Sequence, residues 1–151
     1  SGSGSLAELI TKVTPITLMR SRLSLEPAIA REAAIHASGD AVSNLTMIGQ
    51  RTQAADNWED YELFDDQFHR AIGIATDNPL LLSLFDHLNA VRRGVAWKTV
   101  VRSSVRPAFD HTSFAEHDQI LAAIEARDPS AAHASMRTHL VSVSNRLFGD
   151  A

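Results

Sequence analysis

The sequence contains no cysteine, and several other features are scarce. The absence of cysteine excludes disulfide scaffolds, thiolate zinc fingers and cysteine nucleophiles, and it suits a reducing compartment. Aromatic residues make up only 6% of the chain, and no block of basic residues is present. Proteins that bind nucleic acid need positive charge and often stacking aromatics, so we do not expect this chain to bind DNA or RNA by itself.

Long apolar runs are also missing. The longest, such as residues 79–82, are far too short to cross a bilayer, and no signal-peptide pattern of a basic start and an apolar stretch is visible. We therefore expect a cytoplasmic protein that makes no contact with a membrane.

The size and composition are those of one globular domain. The chain has 151 residues, 44% of them hydrophobic, and its 14 basic and 18 acidic residues give a formal net charge of −4. A domain of this length buries roughly 68–70% of the surface that its unfolded chain exposes, so its core needs no disulfide or metal to hold it together. A metal bound to this chain would therefore have a functional role.

The composition favours an all-α fold. Residues 1–5, Ser-Gly-Ser-Gly-Ser, are typical of a flexible linker or a cloning remnant, and we place the folded domain at residues 6–151. Apolar periodicity and capping residues predict six helices: 18–37, 41–55, a third opened by residues 56–59 and ended by 78–79, 80–100, 113–126 and 129–148. Helices joined by short links form an antiparallel bundle, here with a metal or ligand cavity in its core.

Several local signals qualify these boundaries. Pro27 is expected to kink the first helix, because proline removes a backbone hydrogen bond. Gly39 and Asp40 are expected to end that helix and cap the next, and Asp56 to cap the third. Leu84 belongs to the stripe predicted to face inward on the fourth helix. Residues 101–111 are expected to form the one substantial loop.

Among the seven histidines, His69 has the most suggestive neighbour. Asp65 precedes it by four residues, which places a carboxylate above an imidazole on one helical face, where the two can share a metal. An Asp–His hydrogen bond within the helix is the structural alternative. Asp66 is a rival to Asp65 at a separation of three, but the four-residue spacing stacks the side chains better.

His117 and His139 are expected to join this pair. Each lies 11 residues from Asp128, in the turn between the last two helices, which places both about 16 Å from the same end of a helical hairpin. One carboxylate and three imidazoles suit a divalent transition metal, with zinc first and nickel, manganese or iron(II) as alternatives, and water or a ligand completing the shell. A di-iron site is not expected, because the paired Glu-x-x-His motifs are missing.

The remaining histidines do not fit this set. His133 precedes His139 by six residues and so lies on another helical face, and His111 falls in the loop. His36 and His87 have no partner at a helical spacing. We predict that none of these four binds the metal.

Three stretches of the chain carry a family resemblance: RSRLSLEPAIAREAA, NWEDYELFDDQFHRAIGIATDNPLL and AEHDQILAAIEARDPSAAHASMRTHL. They contain an Arg-x3-Glu-Pro element at 22–27, Asp-x3-His at 65–69 followed by Asn-Pro, Glu-His at 116–117 and Met-x-x-His-Leu at 136–140. In this order they resemble the FCD (FadR C-terminal) domain, the effector-binding and oligomerisation domain of GntR-type bacterial transcription regulators. The resemblance covers about residues 17–147.

The resemblance implies a helical bundle whose core holds a metal on Asp65, His69, His117 and His139, with a small carboxylate effector beside it or on it. It also implies a homodimer. Regulators of this family bind DNA through an N-terminal winged helix-turn-helix, and the region before Leu18 is too short to contain one, so we expect an isolated sensor domain.

A carboxylate effector is expected to meet arginine, whose planar fork matches two oxygens at once. Arg22 and Arg93 are the predicted effector-binding residues. The alternatives are an ion pair of Arg22 with Glu26, four residues on, and a solvated helix end for Arg93. Tyr61 and Trp97 could line the same cavity, although core packing explains both.

Two other functional classes are alternatives to a sensor domain. A metal-dependent hydrolase could use an open metal position, with Asp66 or Glu116 as general base. No nucleophile–base pair or glycine-rich oxyanion turn supports that function, so we predict that the chain is not an enzyme. A structural bundle without metal is the third hypothesis, and metal analysis distinguishes it from the other two.

Overall fold

The computed structural model describes residues 2–95, 104–108 and 111–149, and this part of the chain is all α. It contains seven helices and no strand: α1 Gly2–Lys12, α2 Pro15–His36, α3 Gly39–Gln53, α4 Trp58–Ala75, α5 Pro79–Gly94, α6 Thr112–Glu125 and α7 Pro129–Phe148. The all-α prediction is confirmed. Among the described residues, no helix is long and apolar enough to span a membrane.

Helix α1 is the element that the sequence did not predict. It begins at Gly2, within the segment interpreted as a flexible linker. Leu6, Ile10 and Val13 pack against a small apolar cluster that includes Val91 on α5. Gly94 permits this approach, because a Cβ there would overlap the Ile10 side chain.

Apart from the end of α5, the helix ends lie within three residues of the predicted bounds. Ser38, not Asp40, caps α3 by accepting from the Ala41 N–H, and Asn57, not Asp56, caps α4. Gly39 is the first residue of α3 and does not end α2. Helix α2 continues through Pro27 to His36. Helix α5 ends at Gly94, earlier than predicted, and residues 96–100 lie outside the described residues.

Two connections with the same stereochemistry join α4 to α5 and α6 to α7. Asp77 and Arg127 each adopt a positive φ, 51° and 56°, and so reverse the chain after a helix. The next residue is a cap, Asn78 or Asp128, and a proline then begins the following helix. The Asp128 cap fixes the tight hairpin of α6 and α7 that the sequence predicted.

The main core lies where α2 packs against α7, with α4 and α6 alongside. Alanines on α2, including Ala30 and Ala33, are fully buried and allow close approach of the neighbouring helices. Phe68, Ile120 and Leu140 fill the space between them. One predicted core position is wrong, because Leu84 is 47% exposed. This packing brings one face of α4, α6 and α7 together beside α2.

Candidate metal and ligand site

The structure brings together the four side chains predicted to bind a metal. Asp65 and His69 come from α4, His117 from α6 and His139 from α7, and one potential ligand atom from each lies within 4.8 Å of all the others. The centroids of the His117 and His139 rings lie 4.8 Å apart, so the antiparallel hairpin places the two side chains side by side as predicted. The three imidazoles are buried, and Asp65 is half-buried.

Two glutamates hold two of these imidazoles through contacts to their Nδ1 atoms. His69 Nδ1 lies 2.6 Å from Glu26 Oε1 on α2, and His139 Nδ1 lies 2.6 Å from Glu116 Oε1 on α6. A carboxylate bonded to one ring nitrogen sets the tautomer and leaves the other nitrogen for a metal. Both glutamates therefore orient Nε2 as the ligating atom.

Several ring nitrogens in this cluster lack a hydrogen-bond partner. Within the described residues, His69 Nε2 and both nitrogens of His117 are buried without one. His117 Nε2 lies 3.0 Å from Asp65 Oδ1 but without hydrogen-bond geometry. An unsatisfied buried polar atom costs about 1–3 kcal/mol. A cation among these atoms would remove that cost, so the donor set fits a divalent transition metal.

Phe68 supports His117 from the core. Their rings stack with centroids 4.5 Å apart, and Phe68 is fully buried. This contact limits the rotation of an imidazole that has no hydrogen bond of its own. Apolar packing therefore holds the ring of His117 in position, whereas hydrogen bonds to glutamates hold the rings of His69 and His139.

The electrostatics distinguish the two glutamate-bonded imidazoles. Burial lowers the pKa of His139 to about 4, although its hydrogen bond to Glu116 acts in the opposite direction. Burial alone would also lower the pKa of His69, but Glu26 and Asp65 outweigh it and raise that pKa to about 9. At neutral pH His139 is neutral with a free lone pair, whereas His69 holds a proton that a metal must displace.

Asp65 is ionised in this setting. Burial alone would raise its pKa, but the imidazoles of His69 and His117 hold the pKa of Asp65 well below its usual range. The site therefore offers one anionic oxygen and three imidazoles. We call these four residues, with Glu26 and Glu116, the imidazole side.

A small cavity of about 10 Å³ adjoins this cluster. We call its polar wall the arginine side: Arg22 from α2, Asp66 from α4, and Asn89 and Arg92 from α5. The complete lining consists of Arg22, Glu26, Asp65, Asp66, His69, Phe85, Leu88, Asn89 and Arg92. The cavity lies beside Asp65 and His69, two of the residues predicted to bind a metal.

The two predicted effector-binding arginines lie in different places. Arg22 lines the cavity, is buried, and donates from Nε to Glu26 Oε2 at 2.7 Å, so the predicted ion pair and the cavity position coexist. Arg93 is 61% exposed and is absent from the lining, and its neighbour Arg92 occupies the cavity position. Arg92 and Arg93 follow Asn89 by three and four residues, which are both same-face helical spacings, so the sequence carried no signal that distinguishes them.

The remaining sequence candidates do not line the cavity. Tyr61 is buried and its hydroxyl bonds to Ser113, and Trp97 lies outside the described residues. His36, His87 and His133 are exposed on the surface.

The other predicted non-ligand and the two proposed bases have structural partners. His111 caps α6 by accepting at Nδ1 from the Ser113 N–H. Glu116 is bonded to His139, and Asp66 is paired with arginines. Both carboxylates considered as general bases are therefore already engaged by other side chains.

The sequence pattern did not indicate the orienting role of Glu26 and Glu116. It suggested a partner for Arg22 in Glu26 and a possible base in Glu116. The available signal was general: a metal-binding histidine usually donates its second N–H to a carboxylate or carbonyl. The sequence could not say which glutamates, because their partners lie 43 and 23 residues away.

Comparison with known proteins agrees with this architecture. The FCD domain family matches residues 17–142. The Uxu operon regulator of Haemophilus influenzae is 31% identical over 139 residues, which cover 90% of this chain and 52% of that protein. The HTH-type transcriptional repressor NanR of Salmonella typhimurium is 31% identical over 128 residues, 82% of this chain and 46% of that protein.

Two solved structures share the fold. The Streptococcus agalactiae GntR structure superposes with a TM-score of 0.67 at 26% identity, over 83% of this chain and 56% of that one. The E. coli McbR/YncC structure gives 0.74 at 19% identity, over 87% and 66%, and so supports the fold alone.

The chain spans about half the length of the curated relatives that it matches. Those relatives are transcription regulators and not enzymes. The chain therefore belongs to the FCD domain family, the effector-binding domains of GntR-family transcription regulators.

Proposed function

We propose that this domain senses a small carboxylate with the help of a divalent metal held by Asp65, His69, His117 and His139. The observation that carries the proposal is the convergence of three buried imidazoles and one carboxylate within 4.8 Å, with ring nitrogens that have no other partner. A cluster of this kind is costly unless a cation completes it.

The donor set indicates which metal. Three nitrogens and one oxygen suit zinc, and nickel, manganese and iron(II) are the alternatives. Four protein ligands leave room for a further oxygen ligand on metals that accept five or six. A bound metal would supply positive charge that selects anionic oxygen.

The cavity beside the cluster indicates the ligand class. Two guanidinium groups, Arg22 and Arg92, line it together with the Asn89 amide. Guanidinium recognises carboxylate with two parallel hydrogen bonds. A small mono- or dicarboxylate that reaches both the metal and an arginine therefore fits the site better than a sugar or a base.

The whole regulator's behaviour is proposed from the family. Its relatives include a transcriptional repressor and an operon regulator, so we propose that carboxylate binding to this domain controls DNA binding by a winged helix-turn-helix. A homodimer in the cytoplasm is part of the same proposal.

Metal analysis of the purified chain, followed by calorimetric titration with acetate, malonate and succinate, tests this function. We expect about one transition metal per chain and carboxylate binding that is lost after chelation. Chelation should also lower the melting temperature, because a ligand at 100 times its Kd stabilises the fold by about 2.7 kcal/mol. A chain that retains no metal at neutral pH, or that binds these acids equally well with and without metal, would contradict the proposal.

A further inference from the structure

Adjacent aspartates on α4 have different partners. Asp65 faces the imidazoles, whereas Asp66 turns toward α5 and bonds to two consecutive arginines. Arg92 Nη2 donates to Asp66 Oδ1 at 2.7 Å, and Arg93 Nη1 donates to Asp66 Oδ2 at 3.3 Å. Asp66 therefore places an internal carboxylate on the guanidinium that a ligand carboxylate would need.

The cavity has no room for a ligand while this pairing is in place. Its volume of about 10 Å³ is enough for about one water molecule. A carboxylate group alone has three heavy atoms, so it cannot enter without displacing something. Asp66 and Arg92 both line the cavity, and both side chains are partly exposed to solvent.

We propose that Asp66 is an internal competitor that holds Arg92 in the ligand-free domain and passes to Arg93 when a ligand carboxylate binds. The proposal rests on the proposed carboxylate-sensing function and adds a residue that sets ligand affinity and charge selectivity. The ligand replaces one carboxylate on Arg92 by another, so Arg92 is paired with a carboxylate both before and after the exchange.

The two arginines differ in the way that such an exchange requires. Arg92 is also held by Asn89, whose Oδ1 accepts from Arg92 Nε at 2.8 Å, so its guanidinium stays in position when Asp66 leaves. Arg93 is mostly exposed, and its bond to Asp66 is longer. Arg93 therefore offers the displaced Asp66 a partner in solvent without competing strongly for it beforehand.

This arrangement selects for charge. A neutral amide of the same shape as the ligand cannot replace Asp66 on Arg92, because it would exchange an ion pair for a weaker hydrogen bond to an uncharged acceptor. An acid anchored at the metal can do so, since its second contact is then intramolecular and is favoured by proximity.

The test is a double-mutant cycle on the zinc-loaded chain, with succinate as the probe and calorimetry as the measurement. Asp66→Asn keeps the side-chain shape and removes the competing charge, so we expect succinate to bind about tenfold more tightly, or ~1.4 kcal/mol. In an Arg92→Gln background the same change should have no effect, because the guanidinium under competition is gone. Asp66→Ser provides a second variant that lacks the charge.

Asp86→Asn is the matched control. Asp86 forms an exposed ion pair with Arg70 that also links α5 to α4, with bonds of 3.0 and 3.1 Å, and neither residue lines the cavity. The control loses the same charge between the same helices, so it should leave the succinate Kd within about twofold of the wild-type value. Zinc content should be equal in all variants.

The possible failures are distinguishable. If the wild-type chain binds succinate and Asp66→Asn binds it equally or more weakly, internal competition is wrong and the carboxylate-sensing function stands. A gain that persists in the Arg92→Gln background, or that Asp86→Asn reproduces, would show a general charge effect and would also overturn the proposal. If zinc-loaded wild type and variants all fail to bind succinate, acetate and malonate, both the proposed function and this inference fall.

Discussion

The imidazole side and the arginine side lie next to each other but are completed in different ways. On the imidazole side, buried ring nitrogens of His69 and His117 have no hydrogen-bond partner among the residues that the structure describes. On the arginine side, Arg22 is paired with Glu26, and Arg92 with Asp66 and Asn89. The ring nitrogens of the first side lack partners, whereas the arginines of the second side are already paired with carboxylates.

Under the proposed function, the two sides have different tasks, metal binding and carboxylate binding. The imidazoles are held in place by Glu26, Glu116 and Phe68 before anything binds, which is the preorganisation that a tight metal site requires. The arginines are held by groups that another carboxylate can replace, which suits reversible sensing. We expect changes on the imidazole side to have larger effects on binding than changes on the arginine side.

The largest effect is expected from removing an imidazole. His117→Ala or His139→Ala takes away one of the four proposed ligands. Metal affinity should fall by more than the 10–100-fold that is typical when a residue that hydrogen-bonds to a ligand is changed. Metal content after dialysis against a weak chelator is the measurement. His133→Ala is the control, because His133 is exposed on α7 and should leave metal content unchanged. Equal retention in all three variants would exclude His117 and His139 from the site.

The pH dependence of metal affinity should follow the deprotonation of His69. In the metal-free domain the pKa of His69 is raised to about 9, so this imidazole is protonated at pH 7 and must release the proton when it binds metal. Apparent metal affinity should therefore rise about tenfold per pH unit as pH increases from 7 toward 9.

Calorimetry in two buffers of different ionisation enthalpy measures that proton. We expect about one proton released per metal bound at pH 7, with no contribution from His139, whose pKa is about 4. Metal binding without proton release would mean that His69 is not a ligand.

A smaller loss is expected when an orienting glutamate is changed. Glu116→Gln keeps the size of the side chain and weakens its hydrogen bond to His139 Nδ1, so metal affinity should fall about tenfold while binding remains measurable. Glu125→Gln is the matched control on the same helix, because Glu125 is exposed and bonds only weakly to Thr46 at 3.4 Å. If both variants bind metal as tightly as the wild type, the Glu116 contact does not tune the site.

The smallest effect is expected at Arg93. Arg93→Gln removes an exposed partner of Asp66. It should weaken carboxylate binding by about two- to threefold, as is typical of a surface ion pair. Arg92→Gln, measured in parallel on the metal-loaded chain, should weaken carboxylate binding far more because Arg92 lines the cavity. A larger loss in Arg93→Gln than in Arg92→Gln would restore Arg93 as the effector-binding residue that the sequence suggested.

Periodicity within single helices was sufficient for much of this picture. The four-residue separation of Asp65 and His69 places both side chains on one face of α4. The equal distances of His117 and His139 from Asp128 required only the rise of a helix and a tight turn between two antiparallel neighbours. Local rules of this kind do not depend on the rest of the fold, and the structure agrees with them.

Helical spacing does not predict which side chains on different helices come into contact. The rotation and depth of each helix are set by packing against the others, for example by the small alanines of α2 that let α7 approach. This packing decided that Arg92 and not Arg93 reaches the cavity, and that Asp66 meets an arginine 26 residues away. It also stabilised α1, whose glycine- and serine-rich start has little helical preference of its own.

The sequence by itself therefore determined the all-α class, most helix boundaries to within a few residues, and the four residues that converge beside α2. The tertiary structure alone decided which glutamates hold the imidazoles and which carboxylate occupies Arg92. The physical reason is that helical spacing fixes neighbours three or four residues apart, whereas a partner 26 or 43 residues away is chosen by how whole helices pack.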